Sequence, residues 1–302
     1  MSSPFRVIAE GPDRVGESPV WDGQALWWVD IESCRVRCWQ AASGQLQAWS
    51  LPERVACLAL TEDGRLILAM ENRIVATRLS PGQTPQLQTL ATIEHPAPGM
   101  RFNDGRCDAS GRLWVGTMVM DMSRAQAQGG LYCLDERGLT GPHVSALLTP
   151  NGTGMSPDGC TLYLSDSHPN AQQIWAFDLE PQSGALSNRR LFVDMRPLPG
   201  RPDGAAVDSQ GCYWICANDA GLVHRFSPEG QLLQSLSVPF PKPAMCCFGG
   251  PDLSTLFVTS IVPADPAAHP QALSGAVVAL ETELTGRAEP RFSRFPKSAA
   301  GA

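Results

Sequence analysis

The sequence lacks the features of a membrane-spanning or secreted protein. It contains no run of about 18 consecutive apolar residues, the length that a helix needs to cross a bilayer, so no membrane span is predicted. Residues 1–10 carry Arg6 as their single cation and have no apolar stretch. No signal peptide is therefore predicted, and the cytoplasm is the expected location.

Charged and aromatic residues are also scarce. Charged residues make up 18% of the chain, the formal net charge is -7, and the basic residues form no stripe. A nucleic-acid partner is therefore not expected, because binding of the phosphate backbone requires clustered positive charge. Aromatic residues are 7%, whereas the 28 glycines and 26 prolines are typical of a β-rich fold with many tight turns.

Several motifs of catalysis and metal binding are missing. The sequence has no C-x-x-C, no G-x-S-x-G and no H-x-H or H-E-x-x-H, which gives no support to a zinc site of that kind or to a serine hydrolase. The five histidines are expected to be surface or structural residues: His95, His143, His168, His224 and His269. Six of the ten cysteines fall in or beside predicted strands, and reduced thiols are expected: Cys57, Cys107, Cys160, Cys212, Cys246 and Cys247.

A repeat along the chain predicts the fold. Six segments share an apolar strand, a polar turn and a second apolar strand, and their turns recur at intervals of 41 to 52 residues: Gly23, Gly64, Gly111, Gly159, Gly211 and Leu253. Such an interval is the length of one four-stranded propeller blade. The prediction is an all-β, six-bladed β-propeller with four-stranded antiparallel blades, forming one domain over residues 1–302 with a flexible tail from about 294.

The ring must also be closed. Residues 5–8 read as a strand, and so do residues 276–280 near the other end of the chain. Because an exposed last edge is a liability for a sheet, we expect these two strands to pair and close the circle.

Polar residues recur at one register of the innermost strands. Counting eight residues back from each turn in blades two to six gives Ala56, Asn103, Asn151, Asp203 and Met245, and in blade one Glu17 lies six back, on the same face. Side chains at this register face the central channel, so we expect the four acid or amide groups to converge on the axis.

This convergence predicts a metal site. Glu17, Asn151 and Asp203 offer two carboxylates and an amide oxygen, a hard ligand set suited to one divalent cation such as Ca²⁺, Mn²⁺ or Mg²⁺, with Zn²⁺ also considered. The alternative is structural, because Asn and Asp before Gly are common turn formers.

Five dispersed stretches resemble the SMP-30/gluconolactonase/LRE family. They follow in order along nearly the whole chain: GESPVW from Gly16, RFNDG from Arg101, PNG from Pro150, RPDG from Arg201 and CFGG from Cys247. The resemblance implies a six-bladed propeller, a metal held by Glu17, Asn151 and Asp203, and a sugar pocket formed by Arg101, Asn103 and Asp121. At the last of these positions other members carry glutamate.

The expected reaction is metal-dependent hydrolysis of a sugar-acid lactone, a small-molecule substrate. Asp203 is the candidate general base, Asn103 holds the attacking water, and Arg101 and Asp121 bind the sugar. Arg101 could instead pair structurally with Asp104 or Asp121. Two other functions stay open: a calcium-dependent esterase or phosphotriesterase propeller, and a calcium-binding propeller without catalysis.

Overall fold

Antiparallel strands make up nearly all of the regular structure in the computed structural model, which describes residues 5–268 and 273–297. The first strand is β1 Arg6–Ala9. Blade one contains β2 Gly16–Trp21, β3 Ala25–Asp30, β4 Arg35–Gln40 and β5 Leu46–Ser50, and blade two contains β6 Cys57–Leu60, β7 Leu66–Ala69, β8 Arg73–Thr77 and β9 Gln88–Thr92. Blade three contains β10 Met100–Cys107, β11 Leu113–Val119, β12 Gly129–Asp135 and β13 Gly138–Leu147. Blade four contains β14 Pro150–Met155, β15 Thr161–Asp166, β16 Gln173–Leu179 and β17 Leu186–Asp194, and blade five contains β18 Arg201–Val207, β19 Tyr213–Asn218, β20 Leu222–Phe226 and β21 Leu232–Ser237. Blade six contains β22 Pro243–Gly249, β23 Thr255–Ser260 and β24 Val277–Glu281. Two single-turn 3-10 helices, Met122–Arg124 and Pro266–Ala268, lie in loops.

The strands form six four-stranded sheets arranged in a ring, which confirms the predicted six-bladed propeller. Within each blade the strands follow one another outward from the axis, except in blade six, where β1 is the outermost strand and pairs with β24. This confirms the predicted closure of the ring. Innermost strands of successive blades contact each other, and β22 contacts β2, so the ring order is the chain order.

The hairpin turns between the first and second strands repeat as the spacing predicts. All six turn positions have a positive φ, including Leu253 at 59°, the single member that is not glycine. Glycine adopts this region at little cost, which explains why five of the six blades carry it.

The innermost strands carry bulges where the polar residues lie. In five of the six blades the pairing of the first two strands shifts register, and Glu17 and Asn151 border such a shift whereas Asn103 and Asp203 lie within one. These residues are therefore in strands, not in turns as the structural alternative would have it. A bulge redirects the side chains beside it, and here it turns several of them toward the axis.

Glycine follows both Asn151 and Asp203, because the inner strands of neighbouring blades lie close to each other there. A Cβ on Gly204 would lie 2.3 Å from the Cβ of Met245, and one on Gly152, whose φ is +59°, would lie 2.4 Å from the Tyr213 hydroxyl. Any side chain at either position would push neighbouring strands apart.

Apolar clusters fill the spaces between neighbouring blades. The segment after β24 runs across the end of the ring that carries the hairpin turns. Phe292 is fully buried there and bridges Thr61, and Arg294 donates to the Ser110 carbonyl and pairs with Glu136. Of the tail predicted to be flexible, the structure describes residues 294–297, and its mobility stays a prediction.

The cysteines are all free thiols. Eight are buried, Cys34 is half-buried and Cys160 is exposed, so Cys160 lies on the surface rather than in the core. No helix among residues 5–268 and 273–297 is long and apolar enough to cross a membrane.

Candidate metal and substrate site

A cavity of about 230 Å³ opens at the end of the ring where the innermost strands begin. It brings together five of the six residues that the sequence predicted: Glu17, Arg101, Asn103, Asn151 and Asp203. Each of the five comes from an innermost strand, and together they represent blades one, three, four and five.

Blades three and four are joined by a chain of hydrogen bonds in this cavity. Arg101 Nη1 donates to Asn103 Oδ1 at 2.6 Å and to the Phe102 carbonyl at 2.7 Å. Asn103 Nδ2 in turn donates to Asn151 Oδ1 at 3.0 Å and to the Pro150 carbonyl at 2.9 Å. Arg101 is thus held by an amide rather than by Asp104 or Asp121, and Asn103 orients the amide of Asn151.

Asp203 has a partner that the sequence reasoning missed. Asn218, the last residue of β19, donates from Nδ2 to Asp203 Oδ2 at 2.5 Å. A signal existed, because Asp30 and Asp166 end the equivalent strands of blades one and four. Those two carboxylates accept backbone N–H groups of the preceding loop, whereas Asn218 turns to the neighbouring carboxylate.

Burial raises the pKa of both carboxylates in the cavity. Burial raises the pKa of Glu17 well above its usual range, and the negative charges of Asp203 and Asp104 raise it further. Burial also raises the pKa of Asp203 to about 7, although Arg201 and the hydrogen bond from Asn218 lower it. Among the described residues, no Lys, Arg or His side chain forms a salt bridge with Glu17 or Asp203.

This arrangement fits a divalent cation. Two buried carboxylates without a paired cation are an unfavourable setting that a bound metal relieves. Across the part of the chain that the structure describes, no group of three or more His, Cys, Asp and Glu side chains could hold a metal ion. A metal held by Glu17 and Asp203 would find a third side-chain oxygen in the amide of Asn151, which keeps a lone pair beside the one used by Asn103.

Asp104 does not line the cavity, and its contact joins two blades. It is buried in β10, and its Oδ2 accepts the backbone N–H of Thr153 at 2.8 Å, which ties blade three to blade four. Its Oδ1 is buried without a partner among the described residues, and burial raises the pKa of this carboxyl.

Asp121 does not join the cavity. It is exposed and caps the 3-10 helix Met122–Arg124, accepting from the backbone N–H and the hydroxyl of Ser123 at 3.1 and 2.6 Å. The next residue, Met122, does line the cavity, and its carbonyl contacts His168 Nε2 at 3.0 Å. The carboxylate of Asp121 lies outside the cavity in this structure, and its sugar-binding role stays a prediction.

No histidine in the described part of the chain lines the cavity. His168 and His224 are buried with backbone carbonyl partners, His95 contacts the Glu71 carbonyl and His143 packs edge-on against Trp114. These contacts are structural, as the sequence predicted. His269 lies outside the described residues.

The fold and the site define a six-bladed propeller with an oxygen-rich axial cavity suited to a metal. A family model described as "SMP-30/Gluconolactonase/LRE-like region" matches residues 15–262, and the chain belongs to this family. The resemblance found in the sequence is thereby confirmed.

Particular relatives agree along most of their length. The chain is 35% identical to a 6-deoxy-6-sulfogluconolactonase of Pseudomonas putida over 97% of this chain and 100% of that protein. It is 35% identical to chicken (Gallus gallus) regucalcin over 85% of this chain and 87% of the other. A crystal structure of a calcium-binding protein, regucalcin, from Agrobacterium tumefaciens superposes with a TM-score of 0.89 at 29% identity, covering 96% of this chain and 97% of that one.

Proposed function

We propose that the chain hydrolyses a sugar-acid lactone to the aldonic acid with the help of one divalent cation. The observation that carries the proposal is the meeting of Glu17, Asn151 and Asp203 from three blades in one cavity, with Arg101 and Asn103 beside them. The chain is a lactonase, as its family and its 6-deoxy-6-sulfogluconolactonase relative support; that relative matches over 97% of this chain and 100% of its own length. That relative's substrate is a gluconolactone derivative, which favours a six-carbon aldonolactone here.

The metal ligands proposed are Glu17, Asn151 and Asp203. A hard oxygen set accepts Ca²⁺, Mn²⁺ or Mg²⁺, and Zn²⁺ is also permitted. When bound, the cation supplies a positive centre that stabilises negative charge on the lactone carbonyl oxygen. The Agrobacterium regucalcin is a calcium-binding protein, which supports a bound cation in the present chain.

Asp203 is the proposed general base. The described residues donate to its Oδ2 alone, so Oδ1 is left to accept a proton from the attacking water. Burial raises the pKa of Asp203 to about 7 in the metal-free protein. A cation bound beside this carboxylate lowers the pKa, so the base is ionised and able to accept a proton at neutral pH. The water oxygen then bonds to the carbonyl carbon, the bond from this carbon to the ring oxygen breaks, and the ring oxygen takes up a proton.

Arg101 and Asn103 orient the reactants. The Arg101 side chain is fixed by two hydrogen bonds from Nη1, which leaves Nη2 and Nε to contact lactone oxygens. Positioning of this kind lowers the entropic cost of reaching the transition state.

The test is a hydrolysis assay with metal control. Protein stripped by a chelator and reloaded with Ca²⁺, Mn²⁺, Mg²⁺ or Zn²⁺ should hydrolyse aldonolactones only when reloaded. Asp203→Asn should lower kcat by roughly 10²-fold or more, because both a ligand and the base are lost. Asp178→Asn, which changes an exposed carboxylate on β16, is the matched control and should behave as the unchanged protein.

A second variant separates the roles. Arg101→Ala should lower kcat/KM for lactones while leaving the metal Kd unchanged, since Arg101 is not among the proposed ligands. Loss of metal affinity in Arg101→Ala would contradict this division of roles. Turnover of phosphotriesters or aryl esters in preference to lactones, or no turnover with any metal, would refute the proposed reaction.

A further inference from the structure

One wall of the cavity carries more positive than negative charge. Arg201 begins β18 in blade five, Lys242 precedes β22 in blade six, and both side chains line the cavity. Asp219, in the turn after β19, accepts hydrogen bonds from Arg201 Nε at 2.6 Å and from the Lys242 ammonium. Two cations therefore share one carboxylate, and we call Arg201, Lys242 and Asp219 the cationic wall.

The cationic wall keeps hydrogen-bond donors for a ligand. A guanidinium has five N–H donors and an ammonium three. Among the described residues, Arg201 donates to Asp219, to the Ser167 carbonyl at 2.9 Å and to Asn218 Oδ1 at 3.4 Å, whereas Lys242 donates to Asp219. Donors of both cations are thus left over for an incoming group.

Their exposure is suited to binding an anion. The side chains of Arg201 and Lys242 are 18% and 26% exposed, so a ligand can reach them although most of their surface is shielded from water. Ionic hydrogen bonds at such partly desolvated positions are stronger than those on an open surface.

The position of the wall within the ring indicates which part of a substrate it contacts. Blade six lies opposite blade three in a ring of six, and blade three supplies Arg101 and Asn103. Arg201 lies on the same strand as Asp203, and Asp219 joins it to Lys242. A lactone that contacts Arg101 and Asn103 and spans the cavity extends toward Lys242. The group at its far end then meets the cationic wall.

We propose that the cationic wall is a subsite for an anionic substituent, namely a phosphate, sulfonate or carboxylate, on the end of the substrate away from the reacting carbonyl. The identification of the ligand as a substrate rests on the proposed function, whereas anion binding itself depends only on the cationic wall. Arg101 does not serve the same purpose, because it lies on the opposite side of the ring and is held by Asn103.

Binding of alcohols that cannot react tests the subsite directly. The probes are glucitol and glucitol 6-phosphate, titrated calorimetrically into the metal-loaded protein, with the 6-sulfonate and 6-carboxylate analogues distinguishing which anion is preferred. Glucitol 6-phosphate should bind at least about tenfold more tightly than glucitol, and Lys242→Met should abolish most of this difference. Lys242→Arg should retain it. Arg190→Met, which removes an exposed cation on β17, is the matched control.

Hydrolysis gives the second measurement. The ratio of kcat/KM for a lactone with an anionic sixth carbon to that for gluconolactone should fall roughly tenfold in Lys242→Met. Equal binding of glucitol and its phosphate by the unchanged protein, or an unchanged preference in Lys242→Met, would overturn the subsite even if lactones are hydrolysed. Phosphate binding that depends on Lys242 without any lactone hydrolysis would instead support the subsite and refute the proposed function.

Discussion

An ion pair inside the ring joins the C-terminal segment to the axis, and its removal should destabilise the whole propeller. Arg106 on β10 pairs with Glu289, and the two side chains are 9% and 10% exposed. Arg106 also donates from Nη2 to the Ala205 carbonyl at 2.6 Å, so its guanidinium is fixed between blades three and five. Glu289→Ala leaves this cation buried without its partner.

The magnitude follows from that burial. Removing one member of a buried ion pair costs about 3–5 kcal/mol. The negative charge of Asp104 also acts on Arg106 and remains in the variant, which favours the lower end, about 3 kcal/mol. For a chain of this size 1 kcal/mol corresponds to about 2 °C in Tm, so a drop of about 6 °C is expected.

The assay is thermal unfolding with a matched control. Glu283→Ala changes an exposed carboxylate of the same C-terminal segment and should leave the Tm within about 1 °C, as is usual for surface substitutions. Replacing both partners, as in Arg106→Met with Glu289→Leu, should recover much of the loss because no charge is left buried. Equal Tm values for Glu289→Ala and Glu283→Ala would refute the reasoning.

Two further predictions concern the candidate site. Gly204→Ala should lower the Tm and weaken metal binding measured by titration, because its new Cβ would lie 2.3 Å from that of Met245 and must displace β18 beside Asp203; unchanged metal affinity would contradict this. In metal-free protein, the pKa of Asp203 is raised to about 7 by burial, so its contribution to stability is full below about pH 4 and is lost as the pH rises toward 7. The free energy of unfolding of the chelated wild type, measured relative to Asp203→Asn by denaturant titration, should therefore fall between pH 4 and 7, and parallel curves would exclude the effect.

The repeat in the sequence was sufficient to predict the fold. Equivalent turns impose the same backbone conformation in every blade, and Leu253 shares the positive φ of the five glycines although its side chain differs. The same register placed Glu17, Asn151 and Asp203 in one cavity, because innermost strands of a ring face a common axis. Periodicity thus carried information about both the fold and the centre of the site.

Residues outside that register were not found by counting back from the turns. Lys242 lies in a loop before its strand, and Asn218 ends a second strand rather than a first one. Asp121 lies in the loop after β11, where no repeat fixes the path of the backbone, and the 3-10 helix that it caps holds its side chain in solvent. Loop geometry depends on local hydrogen bonds that spacing does not encode.

The innermost strands are not equivalent, and the strand without a bulge is one source of asymmetry in the site. In blade two, β6 pairs with β7 in an unbroken register, and the residue before β6 is the buried Ala56, which brings no polar group to the axis. The other innermost strands carry bulges, and four of them place an acid or amide at or within the irregularity. A ring with six equivalent strands would offer a symmetric channel with no preferred direction for a ligand. The proposed metal ligands instead come from blades one, four and five, whereas Arg101 comes from blade three, so the proposed metal and substrate groups occupy different parts of the cavity.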